Sequence, residues 1–550
     1  MQRVKNALQF GCSAFIALLV LSGCRNEGYD ASTVFRYNES ANLTSLDPAF
    51  ARTLEPMWVV DQLFDGLVEL DAQLNVRPSI AESYFASDQG KTWTFVLRND
   101  VRFTAHPDVP GLQEGRGVRA EDVVFSLNRL RDPALASSGR WILDALDEEA
   151  EGAGMVALGP DTVIFYLKEA YPPFLGLLAT PYANVVAPEA VTHFGEEFRR
   201  NPVGSGPFQL AWWVEDVACV LHKNKAYWES DEMGVSLPYL DAVHISFAAD
   251  MGAEYQGLLQ GKFDFMSGLH AAYMEELLDA EGRLKDGYAD VLRLETTPFL
   301  KTDYIGFLVD GNEGEWAPWK DVAVRQALSL VADRDGIARS LRRGCVVPTR
   351  DFVPPALMGR AGARPVPYDP ERAQSMMDSV RAHHPGPWPE LVLTTTSDYT
   401  DLCAALQYQW ETLGLTVKID VVSPSTHRER VANGKAMAFR KSWLADYPDA
   451  ENFLSLFKTS NFAPGGPNYT HFSDPDFDAQ LAATMTEVSD SIRLHQYAAL
   501  NDRIAESLPL IPLFHDQVTH FVRQEVEGWE INSVNRLDLR RVRKSSAPTP

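Results

Sequence analysis

The chain has 550 residues, of which 45% are hydrophobic and 11% aromatic, and its formal net charge is −25. This length exceeds what one hydrophobic core usually serves, so we expect two or more domains, and the apolar content argues against general disorder. The negative charge argues against nucleic-acid binding, because phosphates would be repelled.

The N-terminus has the three parts of an export signal. Arg3 and Lys5 precede an apolar stretch, residues 8–21, which is shorter than the roughly 20 residues that a spanning helix needs. The stretch "LSGC", ending at Cys24, resembles a bacterial lipobox. We predict a lipoprotein signal peptide over 1–23 and a tether over 24–32 from lipidated Cys24, whose acyl chains would hold the protein at a membrane surface. The alternative is an ordinary signal peptide with an incidental cysteine.

The N-terminal half mixes strands and helices. "TVFRYN" alternates as a strand does, and "KTWTFVLR" places Trp93, Phe95 and Leu97 on one face. A helix is predicted over about 56–64, and another over 119–130, where acidic residues in the first turn complement the helix dipole.

The C-terminal half predicts an α/β unit. Asp321, Asp333 and Asp369 precede helical patterns as N-caps, the last followed by proline at the first helical position. The strand "LVLTTT", a helix stopped by Gly414 and the strand "LTVKIDVV" follow in that order. Such a crossover implies neighbouring parallel strands.

Catalytic and cofactor motifs are missing from the sequence. HExxH, GxSxG, GxxxxGK and GxGxxG after a strand do not occur, so we predict no enzyme, no metal and no cofactor. A hydrolase that uses two carboxylates needs no motif and stays an alternative. Cys219, Cys345 and Cys403 are an odd number, and the sequence does not show whether Cys345 and Cys403 pair.

Eight phrases, in order along the chain, resemble the family 5 extracellular solute-binding proteins, which include the oligopeptide and dipeptide receptors of bacterial ABC importers. They are "SLDPAFA" (45–51), "LFDGLVELD" (63–71), "RPSIAESYFASDQGKTWTFVLRNDVRF" (77–103), "VRAEDVVFSLNRLRDP" (118–133), "NPVGSGPFQL" (201–210), "VRQALSLVADRDGI" (324–337), "LADYPDAENF" (444–453) and "PLIPLFH" (509–515).

The resemblance implies an α/β fold of the two-lobe periplasmic binding protein type II kind, with a ligand cleft between hinged lobes. Lobe one would cover 33–299, with an inserted subdomain at about 70–200. Lobe two would cover 300–510, and residues 511–550 would return to lobe one and end in a tail.

The resemblance also assigns a candidate binding residue. In the family's peptide receptors the aspartate of a W-x-x-D phrase pairs with the ligand ammonium group, and Asp446 stands there, three residues after Trp443. A carboxylate in a closing cleft binds an ammonium better than one in water. Trp443 and Tyr447 would supply apolar walls and cation–π contacts, and Arg440 could meet a ligand carboxylate. The alternatives are a turn-capping Asp446, a core Trp443 and a solvated Arg440.

Two further segments are implied to reach the ligand. Arg52, Thr53 and Leu54 are interpreted as a strand whose backbone pairs with an extended peptide, which ignores side-chain identity. Trp141 lies where the inserted subdomain could reach the cleft. Some family members have a cysteine between the W and the D of that phrase, whereas this chain has Leu444.

The function implied is that of an ABC-transporter substrate-binding lipoprotein. It would capture short peptides and deliver them to a membrane permease as an exported, lipid-anchored monomer on the periplasmic or cell-surface side. Alternatives are the same scaffold binding a nickel chelate, haem or a sugar, a sensing role, and the hydrolase. The sequence does not give the ligand, the peptide length or the membrane that carries the anchor.

Overall fold

The computed structural model describes residues 30–268, 271–279, 281–310 and 317–545. A mixed sheet of eleven strands runs through it. Ten strands follow one another in space in this order: Phe208–Val214, Ala218–Lys223, Ala242–Phe247, Val34–Glu39, Phe265–Ser267, Leu510–Arg523, Leu292–Phe307, Ala438–Leu444, Leu391–Thr395 and Val417–Val421. The eleventh strand, Val346–Pro348, pairs with Leu510–Arg523.

The described residues also form smaller sheets beside the eleven-stranded one. A four-stranded antiparallel sheet has the order Ala81–Ser87, Thr92–Leu97, Thr162–Tyr166 and Met155–Leu158. Three strand pairs join Val68–Leu70 to Val76–Pro78, Arg102–Phe103 to Arg116–Gly117, and Val526–Glu527 to Arg543–Lys544.

The α-helices in the described residues are Leu54–Leu63, Ala120–Arg131, Phe174–Leu178, Pro188–Phe194, Met251–Leu259, Ala271–Leu277, Ala317–Lys320, Val322–Val331, Arg334–Leu341, Pro370–His383, Thr400–Glu411, Pro424–Ala432, Glu451–Leu454, Pro475–Met485 and Asp490–Ser507. None of these helices is long and apolar enough to cross a membrane.

The predicted caps and crossover are confirmed. Asp321, Asp333 and Asp369 each accept a hydrogen bond from a backbone N–H in the first turn of the helix that follows, at 2.8 to 3.0 Å. Strands Leu391–Thr395 and Val417–Val421 pair in parallel, joined by helix Thr400–Glu411. These caps and this parallel pairing confirm the α/β unit predicted for the C-terminal half.

The strand predicted for Arg52, Thr53 and Leu54 is wrong. Thr53 is the N-cap of helix Leu54–Leu63, which begins two residues before the predicted start at Pro56. The first turn of a helix makes no use of its backbone N–H groups, so a proline at the third helical position leaves the helix intact.

Buried apolar residues form separate cores. The first core combines residues between Phe35 and Phe265 with residues between Val522 and Val542, and it also contains Tyr447. The second lies around helices Val322–Val331 and Thr400–Glu411, and the third around Phe453 and Tyr497. The predicted lobe boundaries stay a prediction.

Candidate functional site

A cavity of about 160 Å³ lies between the first core and the turn that follows strand Ala438–Leu444. Its walls come from segments that are far apart in the sequence. The lining residues are Arg52, Thr53, Leu54, Met57, Trp58, Asp61, Leu70, Trp141, Gly176, Ala179, Thr180, Pro181, Tyr182, Leu444, Ala445, Asp446, Val534, Asn535 and Arg536. Five of the predicted site residues therefore meet at one place.

Strand pairing and one buried side chain position Asp446. Strand Ala438–Leu444 pairs with Leu292–Phe307, and the Ala445 N–H still donates to Leu300 O at 2.9 Å before the chain turns. Asn452 then accepts a hydrogen bond from the Asp446 backbone N–H and donates to Asp446 Oδ2, both at 3.3 Å. Both contacts bridge six residues of chain, so the turn and the carboxylate are fixed together.

The carboxylate of Asp446 has no cationic partner among the residues that the structure describes. The side chain is exposed, but the protein atoms packed around the carboxylate partly desolvate it, and this raises the pKa of Asp446 despite the Asn452 hydrogen bond. A partly desolvated, unpaired carboxylate gains more from a ligand cation than a fully solvated one does.

Trp443 supports the turn and does not line the cavity. Its indole Nε1 donates to Asn452 Oδ1 at 2.9 Å, and its ring packs against the third core. Asn452 thus accepts hydrogen bonds from both Trp443 and Asp446, and it is 5% exposed. Sequence reasoning missed Asn452, although it lies six residues after Asp446 in the quoted phrase.

Tyr447 lies behind the wall of the cavity. It is buried, and its ring stacks on Trp141 with 5.9 Å between centroids and an interplanar angle of 28°. Trp141 lines the cavity directly. The predicted aromatic wall is therefore formed by Trp141, with Tyr447 packed against it.

Arg440 is held away from the cavity by an ion pair. Its guanidinium lies 2.7 Å from Asp303 Oδ1 and over the ring of Tyr399. Burial acts to raise the pKa of Asp303, but Arg440 and Lys301 outweigh it and hold that pKa below its usual range. The predicted contact between Arg440 and a ligand carboxylate would require breaking this buried pair.

Arg52 is the cation that the cavity presents. Its side chain is exposed, and it forms no ion pair with any residue in the described part of the chain. Tyr182 lies within electrostatic reach of both charges. Burial raises the pKa of Tyr182, the Ser138 hydroxyl and Arg52 lower it, and Asp446 raises it further.

Arg536 and Asp61 close another side of the cavity. Arg536 Nε donates to Asp61 Oδ2 at 3.0 Å, and Arg536 Nη1 donates to Ala179 O at 3.3 Å. The charges of this pair are compensated, unlike those of Arg52 and Asp446. Sequence reasoning missed Tyr182, Asp61 and Arg536, because nothing local marks residues that become neighbours only through the fold.

The remaining predictions concern the cysteines and metal binding. Cys24 and the signal peptide lie outside the described residues. The thiols of Cys219, Cys345 and Cys403 are free. In the described ranges no group of three or more His, Cys, Asp and Glu side chains is arranged to hold a metal ion.

Comparisons with known proteins agree with this architecture. The glutathione-binding protein GsiB of Escherichia coli O6:K15:H31 is 26% identical over 503 residues, which is 89% of this chain and 90% of that protein. The structure of DppA from Helicobacter pylori in complex with the peptide STSA has a TM-score of 0.76 at 22% identity, covering 93% of this chain and 98% of that one.

A dipeptide-binding protein from Pseudoalteromonas sp. SM9913, in complex with Met-Leu, has a TM-score of 0.75 at 22% identity, covering 93% of this chain and 100% of that one. These likenesses show the periplasmic binding protein type II fold. The family model described as bacterial extracellular solute-binding proteins, family 5, middle region, matches residues 75–464. The chain therefore belongs to the family 5 bacterial extracellular solute-binding proteins.

Proposed function

We propose that this protein binds short peptides in the cavity around Asp446 and hands them to the permease of an ABC importer. The observation that carries the proposal is the unpaired carboxylate of Asp446, held by Asn452 in a partly desolvated cavity. A peptide's α-ammonium group would supply the missing charge through a charge-assisted hydrogen bond.

Arg52 supplies the complementary charge of the ligand site. It lines the same cavity as Asp446 and has no ion pair within the described ranges. A peptide with both termini free carries one charge for each of these residues. Arg52, rather than the buried Arg440, is the residue that we assign to the ligand carboxylate.

The size of the cavity favours a short ligand. About 160 Å³ is below the roughly 300–1,000 Å³ of typical small-molecule pockets. Trp141 offers a flat apolar wall that accepts many side chains. The relatives described above include complexes with the peptides STSA and Met-Leu and a glutathione-binding protein, so these ligands belong in the first panel of probes.

The cellular setting is part of the proposal. Lipidation at Cys24 would anchor an exported monomer to a bacterial membrane, on its periplasmic or cell-surface side, next to the permease. The protein would bind without turnover. Mass spectrometry of the membrane-extracted protein tests the anchor, since lipidation requires a diacylglyceryl group on an N-terminal Cys24.

Thermal unfolding of residues 25–550 tests the binding function. The protein is first stripped of carried-over ligand, then heated with Met-Leu, Ser-Thr-Ser-Ala or glutathione, with N-acetylated copies, and with C-terminal amides. A ligand at a hundred times its dissociation constant adds about 2.7 kcal/mol to the free energy of unfolding. We expect the free peptides to raise Tm, N-acetylation to abolish the rise, and amidation to reduce it.

The matched variants are Asp446→Asn and Asp286→Asn. Asp286 is exposed and does not line the cavity. Loss of the peptide effect in Asp446→Asn alone supports the assignment. Equal shifts with free and N-acetylated peptides would contradict the ammonium role of Asp446, and no shift with any peptide would contradict peptide binding.

A further inference from the structure

Tyr447 joins two parts of the molecule. Among the described residues of the first core, it is the only one from between residues 266 and 521. Its chain neighbours Ala445 and Ala450 belong instead to the third core. A Cβ atom built on Gly176, the neighbour of Leu177 of the first core, would lie 3.5 Å from Tyr447 Cβ, so this backbone approaches Tyr447 closely.

A buried hydrogen-bond cluster reinforces this junction. Tyr171, which packs on the first core, donates its hydroxyl to Glu451 Oε2 at 3.2 Å. Tyr447 donates to the same oxygen, and the two tyrosine hydroxyls lie 3.4 Å apart. Burial raises the pKa of both phenols well above the usual value, so both keep the protons that they donate.

The cluster belongs to the junction and not to the cavity lining. None of Tyr171, Tyr447 and Glu451 lines the cavity. Tyr447, however, directly follows Asp446 in the sequence and stacks on Trp141, which does line it. A displacement of Tyr447 would therefore move both the carboxylate and the aromatic wall.

The cavity is walled from two sides, and widening it for a ligand requires these sides to separate. Residues 52–54, Trp141 and Tyr182 wall one side, and residues 444–446 wall the other, around a space of about 160 Å³. Separation would break the contacts of Tyr171 with Glu451 and Tyr447, because Tyr171 lies on the side opposite to them. Re-forming those contacts after ligand entry would hold the sides together.

We propose that Tyr171, Tyr447 and Glu451 form a closure contact that sets how long a bound ligand is retained. The three are positioning residues, acting through Asp446 and Trp141 without touching the ligand. This inference rests on the proposed function only where ligand retention is measured, because that measurement needs a bound peptide. Closure itself can be measured in the ligand-free protein.

Stopped-flow kinetics with Met-Leu test the closure contact. The variants are Tyr171→Phe and Tyr447→Phe, which each remove one hydroxyl bound to Glu451 and keep the ring. Tyr408→Phe is the control, since Tyr408 is 77% exposed on helix Thr400–Glu411. One lost hydrogen bond of about 1 kcal/mol corresponds to about a fivefold change in rate. We expect dissociation to quicken at least fivefold in both test variants, with association changed by less than twofold. Unchanged dissociation would overturn the proposal.

Hydrogen exchange of the ligand-free protein provides the arm that needs no peptide. We expect Tyr171→Phe to speed exchange in both segments 171–180 and 444–452, and Tyr408→Phe to leave both unchanged. Failure of every peptide to bind would contradict the proposed function. Hydrogen exchange would still show whether the closure contact exists. Unchanged exchange in Tyr171→Phe would overturn the closure contact even if peptides bind. Tyr447→Phe removes the other hydroxyl that donates to Glu451 and should speed exchange in the same two segments.

Discussion

Asp446 and Arg52 carry the uncompensated charges of the cavity, and truncating Asp446 tests the role that we assign to its carboxylate. Asp446→Ala removes the carboxylate that we assign to the ligand ammonium. We expect it to weaken the binding of free-amine peptides by about 2–5 kcal/mol, the usual cost of removing one partner of a buried charge pair. Isothermal titration calorimetry with Met-Leu measures this loss. Unchanged affinity would remove the role of Asp446.

Asn452 is expected to matter for both stability and binding. Asn452→Ala leaves the Trp443 indole N–H and the Asp446 backbone N–H without the acceptor that both use. An unsatisfied buried donor costs about 1–3 kcal/mol, so the free energy of unfolding should fall by that amount in a urea titration. Peptide affinity should fall as well, because Asp446 loses the group that orients it. An affinity equal to that of the wild type would show that the turn holds Asp446 unaided.

The candidate site was partly predictable from single residues. The family resemblance led to Asp446, Arg52, Thr53, Leu54 and Trp141, and the fold brings all five to one cavity. Arg440 could not be interpreted in this way, because its partner Asp303 lies 137 residues away in the sequence. Only the pairing of strands Ala438–Leu444 and Leu292–Phe307 brings them together, and local sequence contains no trace of that register.

At the scale of elements, helices with a capping side chain were predicted best. An aspartate before a helical pattern accepts a hydrogen bond from a backbone N–H that would otherwise have no partner. The residues at the start of the helix therefore determine where it begins. The segment 52–54 carries a weaker signal, since Thr53 makes no side-chain capping hydrogen bond. That helix start depends instead on packing with the first core, which sequence reasoning does not see.

The cap at Asp369 gives a test at this scale. Asp369 Oδ1 accepts a hydrogen bond from the Arg372 N–H at 3.0 Å at the start of helix Pro370–His383. Asp369→Ala should lower the free energy of unfolding by about 0.5–2 kcal/mol and leave peptide affinity unchanged. Urea unfolding and calorimetry check the two parts, with Glu371→Ala as the control in the same helical turn. A stability equal to that of the wild type would show that packing alone fixes this helix.

At the scale of the whole molecule, several buried acids make stability depend on pH. Burial, followed by the charges of Glu55 and Glu254, raises the pKa of Glu39 to about 8, and burial raises those of Glu254 and Glu451 to about 7. A folded-state pKa above the unfolded value gives stability that is complete below the unfolded pKa of about 4.3 and is lost as pH rises through the folded pKa.

We therefore expect Tm to fall between pH 6 and 8.5. At the acidic end another group acts in the opposite direction. Burial acts to raise the pKa of Asp351, but hydrogen bonds from Arg364 and Asn501 hold it below its usual range, so that contribution disappears as pH falls below about 4. Scanning calorimetry at constant ionic strength should place the highest Tm in mild acid. A Tm that rises steadily to pH 8.5 would contradict this, and Glu39→Gln should flatten the alkaline slope.

The position of strand Leu510–Arg523 has a consequence for the order in which the molecule is made. This strand pairs with Phe265–Ser267, Leu292–Phe307 and Val346–Pro348 in the middle of the large sheet, yet the ribosome synthesises it after all three of these partners. Until it emerges, strands Phe265–Ser267 and Leu292–Phe307 lack the strand that hydrogen-bonds to both of them, and pairings of such long sequence separation form slowly. A large sheet that stays incomplete until this strand has been made suits the proposed export, in which the chain threads through a translocation channel before it folds completely.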